Sequence, residues 1–119
     1  ITIISPTNPP TEILPALVDS LIPTFSWNAY PQTKEYIIEV RDINGNLIWG
    51  GFKENGEIQH TQIPKEWTSV EFNFDGSALS QLQSGSIYQW RLYSDDDDAV
   101  GVQTLLSASE DLMGLFILP

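Results

Sequence analysis

The chain has 119 residues, 41% of them hydrophobic, with four Trp, four Tyr and five Phe, enough apolar material for one domain to close a core unaided. With no cysteine it can form no disulfide framework, thiolate nucleophile or cysteine zinc site. Sixteen acids against five bases, a net charge of −11, argue against nucleic acid and anionic membrane surfaces, which need Lys and Arg at phosphates, and leave room for a cation.

The opening run ITIIS is β-branched and is followed by Pro6, Pro9 and Pro10, so it reads as an edge strand leaving a linker. Residues 11–22, TEILPALVDSLI, are apolar but broken by Pro15 and fit either a brief helical turn or an irregular crossing strand. PTFSWN (23–28) alternates, with Phe25 and Trp27 on one face. EYIIEVRD (35–42) turns Tyr36, Ile38 and Val40 inward and sets Ile37, Glu39 and Arg41 on the other face. Asn44-Gly45 predicts a hairpin whose two turn positions both take positive φ. LIWGGF (47–52) is the return strand, and Gly50-Gly51 ends or bulges it.

Residues 53–69 read as a long polar connection with a weak strand near 57–62. VEFNFD (70–75) alternates cleanly, with Val70, Phe72 and Phe74 inward. SIYQWRLY (86–93) does the same with Tyr88, Trp90 and Leu92, and LMGLFIL (112–118) is the closing strand. Seven half-apolar strands at this spacing predict an all-β, antiparallel β-sandwich. No apolar run is long enough to span a bilayer, so this segment inserts in no membrane by a helix.

Leu82-Gln83-Ser84-Gly85-Ser86-Ile87-Tyr88 resembles the Leu-x-Pro-Gly-x-x-Tyr signature of fibronectin type III domains, with Ser84 in place of proline. Trp27 and Tyr36 look like the family's strand-B tryptophan and strand-C aromatic, and Gln89-Trp90-Arg91-Leu92 resembles a form common in bacterial versions. The resemblance covers about residues 20–118 and implies an immunoglobulin-like sandwich of seven strands. It implies that Leu82 packs into the core, Gly85 makes a turn, and the Tyr88 hydroxyl bonds back to the upstream backbone. It also implies a binding or spacing role without catalysis, in a secreted or cell-envelope protein, extracellular or periplasmic.

Residues 1–119 are then a single domain, with 1–22 as N-terminal strand and lead-in and 23–118 as sandwich core. The chain begins at Ile1 rather than methionine, which fits a piece of a larger protein. Its partners would be neighbouring domains or another protein.

Two features depart from pure architecture. In the run Asp95 to Asp98, Asp95 and Asp97 project to one side of an extended segment. With loop carbonyls and Glu110 or Asp111 they could supply a calcium shell, the one cofactor the sequence suggests. The plainer alternative is a solvated acidic loop. Trp49, Phe52, Trp67 and Tyr93 are aromatics whose burial the pattern leaves open. An exposed Trp49–Trp67 pair would stack on a sugar ring, whereas burial would make both part of the core. Asp42-Ile43-Asn44-Gly45-Asn46 lacks calcium-loop spacing, so it reads as a turn. His60 is the one histidine, there is no Gly-x-Ser-x-Gly elbow and no phosphate loop, and we read the chain as no enzyme. The expected role is a non-catalytic spacer or protein-interaction module, the alternative a calcium- or carbohydrate-binding one.

Overall fold

The structure, a computed structural model, describes residues 3–7, 15–30, 33–51, 63–95, 105–108 and 114–119. Along the chain run β1 (Ile3–Ser5), β2 (Ala16–Leu17), β3 (Thr24–Trp27), β4 (Glu35–Asp42), β5 (Leu47–Gly50), β6 (Ile63–Pro64), β7 (Ser69–Glu71), β8 (Ile87–Asp95), β9 (Leu105–Ala108) and β10 (Leu115–Ile117). No helix occurs among the described residues, so the segment around Ala16 is a strand and not a helical turn. The fold is all-β with two sheets.

The smaller sheet has the order β1-β3-β7 and is antiparallel. The larger runs β2-β10-β8-β4-β5. Its spine is the β4–β8 pair, in register from Glu35 opposite Asp95 to Asp42 opposite Tyr88. On the other edge of β4, β6 meets Glu35 and Tyr36 and β5 meets Glu39 to Arg41. On the far edge of β8, β10 meets Ile87 to Gln89 and β9 meets Tyr93 to Asp95. The β2–β10 pairing is the one parallel pair among the described strands. Among the described residues there are ten strands where seven are expected: β2 and β6 are two-residue pieces that strand periodicity cannot register, and β9 lies in a stretch where no strand is expected.

Alternation puts Tyr36, Ile38, Val40, Tyr88, Trp90 and Leu92 of the larger sheet on the face that meets Phe25, Trp27 and Val70 of the smaller. The Phe25 ring lies 4.9 Å from Trp90 and 5.6 Å from Phe116, and Trp27 lies 5.3 Å from Tyr36, so both sheets share one core. Leu82 is buried with them, as expected, while Phe74 is only half-buried. Ile37 keeps to the opposite face of β4 yet is fully buried there, and Glu39 and Glu35 on that face are buried too. The central strand is therefore covered on both faces rather than one.

Two turns differ from expectation. At the β4–β5 hairpin only Gly45 has a positive φ, 85°, and not Asn44. Gly45 N–H donates to Asp42 O and Asp42 N–H to Asn46 O, so the connection is one residue longer than a two-residue turn and needs a single left-handed position. The alternation of VEFNFD does not continue as a strand beyond Glu71. Phe72 N–H still reaches Pro23 O, but Phe74 N–H turns back to Glu71 O and Asn73 takes φ 58°. Asn is among the few residues that tolerate this conformation, and its Oδ1 fixes the loop by accepting Ala78 N–H.

The corner before β8 forms the bond that its motif implies. Gln83 N–H donates to Tyr88 OH at 2.8 Å, Ser86 N–H donates to Gln83 O, and Gly85 has φ 76°. Tyr36 OH likewise accepts Tyr30 N–H at 2.7 Å. At the other end of the closing strand, a Cβ on Gly114 would stand 2.2 Å from Trp90 O, the residue to which Gly114 O is itself bonded. The Gly114→Ala variant must push β10 away from β8, and such overpacking costs about 1–3 kcal/mol. Its thermal midpoint should fall by roughly 4 °C per kcal/mol. An unchanged midpoint would show that β10 is not held against Trp90 in solution.

Candidate functional site

Trp49 and Trp67 share a neighbour but not an environment. Trp49 on β5 is fully buried, against Phe72 at 5.2 Å, Phe74 at 5.7 Å and Phe25 at 6.2 Å. Its Nε1–H donates to Asp75 Oδ1 at 3.0 Å and to Ser77 Oγ at 3.2 Å. Asp75 also accepts from Ser77 Oγ and Ser77 N–H, which closes the loop after β7 over the indole edge. Trp49 is thus a core residue that pins a loop, and of the two tryptophans weighed as a sugar platform only Trp67 is exposed. The same Phe74 ring meets Trp67 at 6.0 Å, and Trp67 is 47% exposed. Trp67 sits on a tight turn, its N–H donating to Pro64 O.

Tyr93 lies on the outer face of the larger sheet with Glu39, Arg41 and Arg91. Arg41 Nε lies 3.1 Å from Glu39 Oε1, Tyr93 OH reaches the same oxygen at 3.5 Å, and the Arg91 guanidinium stands 5.5 Å from the Tyr93 ring centre. Glu39 pairs with Arg41, and Arg41 also donates to Gly45 O at the hairpin.

The Asp42 carboxylate acts as the hairpin's clamp. Oδ1 accepts from Asn44 N–H and Asn46 N–H, and Oδ2 accepts from Asn46 Nδ2. The Asn46 backbone bond, followed by the Asn46 amide, lowers its pKa below the usual aspartate value. The carboxylate is occupied by the turn itself, as the sequence indicates.

Asp95 ends β8, with Glu35 opposite it on β4 and Leu105 on β9. Asp97 lies outside the described residues, as do Phe52, His60, Glu110, Asp111 and the expected weak strand at 57–62. Among the described residues no group of three or more His, Cys, Asp or Glu is gathered to hold a metal ion. The register nevertheless sets two carboxylate-bearing residues, Glu35 and Asp95, across from each other at one end of the spine. Strand periodicity did not show this, because pairing depends on which strands become neighbours.

Sequence reasoning also passed over the exposed apolar side chains beside β7. Leu21 and Ile22 line a groove with Phe72, Phe74 and Leu82, rimmed by Glu71, Asn73 and Gln81. Leu21 is 49% and Ile22 58% exposed. A run such as DSLIP carries no period that would distinguish a covered from an open leucine.

Replacing Trp49 by Phe removes the donor that Asp75 and Ser77 share, and a lost buried hydrogen bond costs about 1–3 kcal/mol. The Trp67→Ala variant, on an exposed turn, should stay within about 1 kcal/mol of the parent protein. Urea unfolding of the pair checks the assignment, and equal destabilisation by both would contradict it. Comparison of the chain with protein-family profiles, with curated proteins and with solved structures gives no match.

Proposed function

We propose that this chain is a fibronectin-type-III-like sandwich that serves as a non-catalytic interaction or spacing module of a larger secreted or envelope-exposed protein. The observation that carries the reading is the corner at residues 82–88, where buried Leu82, Gly85 in a left-handed turn and the Tyr88 hydroxyl bond occur together. Strand order supports it. Setting aside the two-residue β2 and β6 and the edge piece β9, seven strands remain, the first, second and fifth in one sheet and the third, sixth and seventh in the other. That is the division found in immunoglobulin-like sandwiches. The fourth, β5, lies beside β4 rather than in the smaller sheet, which departs from the constant-type immunoglobulin arrangement and supports the fibronectin form.

Such a unit acts by geometry. Its core holds the edges and end loops in fixed positions, and those surfaces meet partners. Spacing and recognition are separable by experiment. Residues 1–119 are exchanged, within the protein that carries them, for an unrelated sandwich of similar size. A recognition module should lose its biological activity in the exchange, and a pure spacer should keep it. Catalytic turnover by the isolated domain would remove both readings.

The Glu35–Asp95 pairing favours calcium as a second reading. Like charges directly opposed on neighbouring strands repel, and a divalent cation at that end would relieve the repulsion while drawing on Asp97. A calcium titration of thermal unfolding, with magnesium as control, should then give a saturable stabilisation of about 2.7 kcal/mol at a hundredfold excess over the dissociation constant. The Asp95→Asn, Asp97→Asn double variant should abolish it. A flat titration would leave the acidic run as a solvated fringe.

A further inference from the structure

We propose that the free edge of β7 binds an extended, basic segment of another protein by strand addition, an inference that rests on the interaction-module reading above. Trp27 N–H bonds to Thr68 O and Phe72 N–H to Pro23 O, so Thr68, Val70 and Phe72 direct their backbone groups toward β3. Antiparallel geometry then turns the N–H and C=O of Ser69 and the N–H of Glu71 away from the sheet. Both residues are exposed, and among the described strands β7 is the end strand of its sheet. The outer edge of β5 differs, because Leu79 N–H already donates to Ile48 O there.

Short strands and charged side chains are also how proteins blunt an edge, and Glu71 could serve that end alone. The surroundings point further. At the end of β7 an apolar groove holds Leu21, Ile22 and the half-buried Phe74, and Phe74 packs against the exposed Trp67. An incoming strand would make main-chain bonds at Ser69 and Glu71 and lay an apolar side chain in that groove. Charge selects the occupant. No Lys or Arg occurs in residues 1–33 or 66–90, which include all three strands of the smaller sheet, whereas Glu66 and Glu71 flank the edge. A second copy pairing edge to edge would bring these acids together, while a segment alternating Lys with Val or Ile complements them.

The probe is a capped seven-residue peptide alternating Lys and Val, with its Glu-for-Lys counterpart as control, followed by amide chemical shifts of the 119-residue protein. The basic peptide should give saturable shifts confined to Trp67 to Phe74, and the acidic peptide none. In the Ser69→Pro variant, which removes an outward N–H and leaves the β3 ladder intact, affinity should drop by about tenfold or more. The Glu66→Lys, Glu71→Lys double variant should reverse the preference toward the acidic peptide, and it keeps the test decisive if the proline variant fails to fold. Shifts scattered over the acidic surface, or equal binding by all variants, would overturn the proposal. Concentration-dependent self-association through the same residues would assign the edge to a second copy and overturn it too. If the sandwich exchange abolishes activity while the Ser69→Pro variant behaves as the parent in the whole protein, only the edge assignment falls. If the exchange is harmless, the interaction reading falls with it.

Discussion

The contact between Phe25 and Trp90, 4.9 Å from ring centre to ring centre, is the point through which the two sheets hold each other. Phe25 is in ring contact with Trp49, Trp90 and Phe116 of the larger sheet, and through Trp49 the packing passes to Phe72 and Phe74. With no cysteine in the chain, no covalent link shares this task. Burial of each large apolar side chain contributes about 1.5–3 kcal/mol, and aromatic pairs in tilted or edge-on contact add about 0.5–1.5 kcal/mol. Those gains must exceed the ordering entropy of a chain with many turns, which explains why so much of the core is aromatic.

Rings with a polar edge do a second job, because each buried donor or acceptor must find a partner. Trp90 Nε1–H donates to Pro6 O and so ties the end of β1 to the spine of the other sheet. Trp49 Nε1–H holds the loop after β7, Tyr36 OH holds the approach to β4, and Tyr88 OH holds the corner before β8. Four of the described connections are therefore anchored by side chains of the core. Trp27 Nε1 is the exception, buried without an acceptor, an arrangement that costs about 1–3 kcal/mol. Its ring stays because it fills the space between Tyr36 and Trp90.

Legibility in the sequence followed the range of the forces involved. Local alternation was enough to find β3, β4 and β8 and the inward faces of all three, since period two is a property of the strand alone. The corner at Tyr88 was legible because its parts lie within seven residues. The turn at Asn73 was not, because FNF alternates whether or not the backbone reverses, and the reversal is set by distant partners such as Trp49 for Asp75 and Ile48 for Leu79. The fate of Trp49 was hidden for the same reason: its burial against Phe25, Phe72 and Phe74 depends on residues distant along the chain. Ile37 shows the opposite limit, where the face was right but its covering could not be foreseen.

The distribution of charge links this architecture to function. The described cations Lys34, Arg41, Lys65 and Arg91 all fall on or beside strands of the larger sheet, and two of them are engaged by Glu39 and Tyr93. The smaller sheet keeps Glu71 and its small polar neighbours Thr24, Ser26 and Ser69, with no counter-charge of its own. At modest ionic strength such a face repels other copies of itself over about 10 Å and attracts basic chains over the same distance. Attraction of this kind speeds encounter but confers little selectivity, since screening weakens it as salt rises. In the strand addition proposed above, selectivity would come from groups that require contact, the outward amides of a rigid strand and the apolar groove at its end. A core that holds β7 against β3 through Val70 and Phe25 is what keeps those groups aligned before any partner arrives.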